Sequence, residues 1–126
     1  MIQRIKRGEI YWANFSDTRV SKDKKIRPVV ILQNDIGNQK LKTTIVVPAT
    51  TQLQYANPVI VQISKNLCGL KEDSYFLFSD IITVPKDILL EKIGDVTLSV
   101  MDEMKKAINL SLGLEDISAN PFYKYI

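Results

Sequence analysis

The chain contains no histidine. That absence removes the commonest general base, the commonest metal ligand and every catalytic triad or dyad built on imidazole. Any catalysis therefore falls to Arg, Lys, Asp, Glu, Tyr, Ser or Thr. Cysteine is nearly absent too: Cys68 stands alone. It can form neither an internal disulfide nor a cysteine-only metal cage, which suits a reducing cytoplasm, and it reads as a small buried apolar residue. Long apolar runs are missing as well. The longest, near 29–32 and 45–47, are strand-sized, and no cationic lead precedes an apolar stretch with a cleavage site. The expectation is a cytoplasmic protein with no membrane span and no secretion signal. There is also no P-loop, dinucleotide fingerprint, CxxC pair or HExxH, so nucleotide-driven and zinc enzymes find no support.

What is present is one domain's worth of core: 126 residues, 45% of them apolar and 25% charged. The charge is lopsided. Residues 1–42 hold ten Lys and Arg against four acids, whereas the remainder holds seven against ten. A basic third on a small domain points to a polyanion or an acidic protein, nucleic acid being the commonest polyanion in that compartment. Charge alone is more often the mark of a solvated, solubilising face.

From Gly8 onward the pattern is of short β segments separated by turn chemistry. Strands are expected over 9–15, which is aromatic-rich, over the β-branched run 27–33, and over 43–47, 59–63, 74–78 and 81–84. Pro48 should bend, bulge or end its strand. The polar, lysine-rich interval 16–26 is too long for a tight hairpin and reads as a mobile loop. The segment 34–38 reads as a turn, and 85–92 as a possible helical turn. Near the end the period changes: Met101, Met104, Ile108 and Leu112 share a helical face, with Ser99 and Asp102 as a capping box and Gly113 as the stop. That helix would close a barrel or support a dimer. The fold class expected is a small mainly β barrel with a C-terminal helix. One domain covers 1–114, followed by an unassigned tail over 115–126.

Four groups could carry chemistry. Arg27 precedes Pro28, which biases it to extended backbone where the basic loop meets a buried strand. A guanidinium held there could grip two phosphate oxygens while charge builds on a pentacoordinate phosphorus, although many strand-end arginines are simply solvated. Thr50, Thr51 and Gln52 follow Pro48 at a strand end, where they could orient a ribose 2′-hydroxyl or a phosphate, or merely cap the strand. Asp35 and Asp80 are candidate bases, yet both look like turn or connector residues. Tyr11, Trp12 and Phe15 could stack on unpaired bases. Alternation places Ile10 and Trp12 on one face and Tyr11, Ala13 and Phe15 on the other, so whichever face is buried removes half of them.

In order along the chain, KRGEIYWANF (6–15), IRPVVILQNDIGN (26–38), TTIVVPATTQ (43–52), GLKEDSYFLF (69–78) and INLSLGL (108–114) resemble the MazF/PemK family of toxin endoribonucleases from bacterial toxin–antitoxin pairs. The order and spacing carry the resemblance, not any one segment. It implies an SH3-like barrel, shared with the gyrase-directed CcdB toxins, and a homodimer. It also implies sequence-specific cleavage of single-stranded mRNA, at a short sequence and without metal or cofactor, leaving a 2′,3′-cyclic phosphate and a 5′-hydroxyl, and inhibition by a cognate antitoxin. The family's catalytic arginine falls on Arg27 and its catalytic threonine on Thr50. Arg19, Ser21, Lys22, Lys24, Lys25, Thr51, Gln52 and Asp80 fall in the RNA-binding set, the loop 18–26 being the one that gates RNA. Two departures stand out: Lys22 replaces an acid in that loop, and Ser79, Asp80 and Ile82 replace an acid-Gln-x-base pattern. The alternative is a non-catalytic toxin of the same barrel class that binds a protein target such as DNA gyrase.

Overall fold

Three strands rich in β-branched and aromatic residues form the centre of the molecule: β1 (Glu9–Asn14), β2 (Ile26–Ile31) and β3 (Thr43–Thr50). The computed structural model describes residues 4–16, 25–121 and 123. Successive residues of these strands enter two different cores. Ile10, Val30 and Val47 pack with Phe76, Phe78 and Met104, whereas Tyr11, Val29 and Val46 pack with Val84, Ile88 and Leu89. Burial on both faces is why these segments are nearly continuous apolar runs rather than clean alternations.

The other strands are β4 (Ile60–Ile63), β5 (Ser74–Leu77), β6 (Ile82–Pro85) and β7 (Leu89–Asp95). All pairings are antiparallel, in the order β4-β5-β3-β2-β1-β7, with β6 also on β3. The helix α2 (Leu98–Ser111) follows β7 and sends Met104 and Ala107 into the first core. The expected class, mainly β with a C-terminal helix, is the observed one.

Several local expectations change. Pro48 does not end its strand: β3 continues to Thr50, with Pro48 abreast of Val29. It falls between Val46, the last residue paired with β6, and Ala49, the first paired with β5, where the ladder on that edge is interrupted and a missing N–H is tolerated. The 34–38 turn is instead the start of a short helix, α1 (Asp35–Lys40), because the Asn34 side chain accepts the Gly37 N–H at 2.8 Å as an N-cap. Asx chemistry serves turns and caps alike. Only Lys86–Ile88 of the 85–92 interval is a 3-10 turn, and β7 follows at once. The α2 cap is Thr97, accepting the Val100 N–H at 3.2 Å, rather than Ser99 with Asp102. Gly113 does stop the helix, at φ +72°. In the tail, Ile117 packs against the first core.

Candidate functional site

Strand register brings the site together. β2 and β3 pair from Ile31–Val46 to Val29–Pro48, and Arg27 and Thr50 each lie two residues beyond that last pair, at the same end of it. Residues 23 apart in sequence are thus brought to one end of the sheet. Both are half-buried, and both line a groove of about 940 Å³. Lys25 and Ile26 continue the Arg27 side; Thr51 and Gln52 continue the Thr50 side. Thr50 Oγ1 accepts the Gln52 N–H at 3.1 Å, a turn that holds the hydroxyl in place and leaves its own proton to donate.

The opposite wall comes from the segment after β4 and from β7: Gly69, Leu70, Lys71 and Glu72 against Glu91, Lys92 and Ile93. Two glycines allow these segments to touch. A Cβ on Gly69, at φ +82°, would lie 2.1 Å from the Ile93 carbonyl oxygen, and one on Gly94 would lie 2.1 Å from that of Cys68. Cys68 itself packs against the first core but is only half-buried, where a buried residue was expected.

Beneath this wall sits a buried carboxylate. Glu9 accepts the Lys6 N–H at 2.6 Å and the Tyr11 hydroxyl at 3.1 Å, and pairs with Lys92 at 2.7 Å. Lys92 also reaches Asp95 at 3.1 Å, and these two partners hold its pKa above the usual lysine range. Burial, then the neighbouring Glu9 charge, push the Tyr11 phenol up to about 12.

Of the expected site residues, Arg27, Thr50, Lys25, Thr51 and Gln52 share the groove. Asp80 does not: it is exposed in the β5–β6 connection, its N–H bound to Leu77 O at 2.9 Å. Asp35 is committed elsewhere, accepting the Arg7 N–H at 2.7 Å, the main cause of its lowered pKa. Arg19, Ser21, Lys22 and Lys24 lie outside the described residues, as does most of the 16–26 loop. Sequence reasoning left Trp12 undecided and did not single out Glu72 or Glu91. Among the described residues no group of three or more Cys, Asp or Glu side chains is placed to hold a metal ion, and no helix is long and apolar enough to cross a membrane.

The family described as PemK-like, MazF-like toxins of type II toxin–antitoxin systems matches residues 6–112. The chain belongs to that family. Among curated relatives, endoribonuclease EndoA of Bacillus subtilis is 38% identical over 113 residues, covering 89% of this chain and 97% of the relative. Endoribonuclease MazF of Staphylococcus saprophyticus is 38% identical over 117 residues, covering 92% and 98%. A mycobacterial endoribonuclease solved in complex with its cognate antitoxin shares the fold, with a TM-score of 0.74 at 24% identity over 88% of this chain and 97% of that one. MazF from Deinococcus radiodurans does so at a TM-score of 0.70 and 18% identity, over 88% and 98%. In this MazF/PemK-type chain, the groove is thus lined by both a permanent cation and a hydroxyl donor.

Proposed function

We propose that this chain is an endoribonuclease toxin that cuts single-stranded mRNA in the Arg27–Thr50 groove without a metal ion. The ribose 2′-oxygen attacks the adjacent phosphorus and loses its proton; the phosphorus–5′-oxygen bond breaks, and the 5′-oxygen takes up a proton. The products are a 2′,3′-cyclic phosphate and a 5′-hydroxyl. Arg27 holds the charge that accumulates on the phosphorane oxygens, and Thr50 donates to the scissile phosphate or orients the attacking 2′-oxygen. Lys25, Thr51 and Gln52 bind the flanking strand, joined by Arg19, Ser21, Lys22 and Lys24 of the basic loop. The activity resides in residues 1–114. It is exercised in the cytoplasm by a homodimer and silenced by a cognate antitoxin, whose acidic, partly apolar tail occupies the same groove.

The observation that supports this reading is that Arg27 and Thr50 lie beyond the same end of the β2–β3 pairing and line one groove. Its test is incubation of the full chain with a long single-stranded RNA in EDTA, with mapping of new ends and assay for the cyclic phosphate. Discrete cuts are expected from the wild type and none from Arg27→Ala. Near-UV circular dichroism keeps the comparison valid, since the substitution lies outside both cores. RNA left intact by well-folded wild-type protein would remove the enzyme reading and favour a protein target such as gyrase.

A further inference from the structure

The groove carries a feature that phosphate binding does not explain. Glu91 lines it, yet a carboxylate facing a polyanion's backbone is repelled. Its neighbour Lys92 is already held by Glu9 and Asp95. The Glu91 carboxylate has no hydrogen-bond or salt-bridge partner among the described residues. Its placement comes from an irregularity in the ladder. Tyr11 lies abreast of Lys92 and Ala13 abreast of Leu89, so Trp12 alone stands against both Leu90 and Glu91. Such a β-bulge re-aims a side chain, and here Glu91 is delivered to the groove beside Trp12.

Trp12 is itself out of place for a core aromatic. Its chain neighbours Tyr11 and Ala13 are buried, as is Ile10 on its own face, yet Trp12 is 41% exposed. Pro28 of β2 lies abreast of it on the other side, immediately after Arg27. An indole open to the groove is a stacking platform for one unpaired base, and the acceptor-only carboxylate beside it reads that base's edge.

We propose that Trp12 and Glu91 form a base-reading subsite that selects guanine next to the scissile phosphate, an inference that rests on the RNA-cleaving reading of the same groove. Guanine presents two adjacent donors, N1–H and N2–H, which match the two carboxylate oxygens. Adenine and cytosine pair their amino donor with a ring-nitrogen acceptor that opposes the second oxygen. Uracil flanks its only N–H with two carbonyls.

Trp12 is the only tryptophan, so its fluorescence reports the subsite directly and independently of cleavage. The full chain is titrated with uncleavable 2′-fluoro pentanucleotides of uridine whose central base is G, A, C or U. Quenching is expected with all of them, with the G oligomer binding roughly ten- to hundredfold more tightly than the U oligomer. In Glu91→Gln, whose amide offers one donor and one acceptor, the G advantage should collapse, because A, C and U each present a matching donor–acceptor pair. Equal affinities for all four bases, absence of quenching, or a G preference that persists in Glu91→Gln would overturn the subsite. A parallel assay with unmodified 2′-hydroxyl oligomers separates the two readings. Selective G binding without a cut leaves the subsite standing and removes the nuclease; cuts without base preference do the reverse.

Discussion

Tyr11 couples the core to the groove wall through a single proton. Its hydroxyl donates to Glu9, which in turn holds Lys92, and burial raises the phenol from about 10 to about 12. Because the folded value lies above the unfolded one, the associated stability is complete below about pH 10. It is lost as pH rises through 12, a decline on the order of 2 kcal/mol. Lys92, also raised, contributes in the same direction. Absorbance titration should therefore find one of the five tyrosines ionising late, and Tyr11→Phe should remove that step. A late step that survives in Tyr11→Phe would show that the buried phenol is not its source. At the same scale, Thr50→Val keeps the β-branched shape but deletes the hydroxyl. Cleavage is expected to fall by roughly a hundredfold or more in kcat while RNA affinity changes little, because the lost bond acts in the transition state. An equal loss in affinity would make Thr50 a binding residue only.

Among the elements, α1 and β7 are the least legible in the sequence, and both depend on partners distant in sequence. The short helix α1 is closed at its C-terminal end by buried Lys86, whose ammonium donates to the carbonyls of Asn38 and Leu41. Asn38 is buried too, accepting from Thr44 Oγ1 at 2.7 Å and from Gln33 Nε2 at 3.1 Å. Lys86→Met should cost about 1–3 kcal/mol in denaturant unfolding, since buried carbonyls lose their donor. RNA cleavage by the remaining folded protein should be unchanged, as Lys86 is outside the groove; loss of both together would contradict this. Strand β7 is an edge strand with exposed Glu91 and Lys92, so its sequence carries little apolar signal. Its glycine seam is more demanding. Gly94→Ala should destabilise by about 1–3 kcal/mol and raise the KM for RNA, because a Cβ there forces the wall segments apart. An unchanged KM would mean that the seam supports the fold without shaping the groove.

For the whole molecule, the groove combines Lys25 and Arg27 of the basic first third with Lys71 and Lys92 from further along the chain. RNA affinity should fall with salt along a log–log slope of about −0.7 per phosphate neutralised, and Lys25→Gln should flatten that slope by about one phosphate. An unaltered slope would place the RNA backbone away from Lys25. Much of this protein was settled locally: the absence of histidine restricted the chemistry, Arg27-Pro28 marked an extended arginine, and β-branched runs marked the central strands. These follow from side-chain chemistry and backbone preference, which act between near neighbours. Even the resemblance that pointed to Arg27 and Thr50 left the surroundings open. That Trp12 faces outward, that Glu91 joins it across a bulge, that Asp80 lies elsewhere, and that Gly69 and Gly94 must both lack a side chain were decided only by pairing. Register and close packing join residues tens of positions apart, and no local pattern encodes which of two strand faces the rest of the chain will cover.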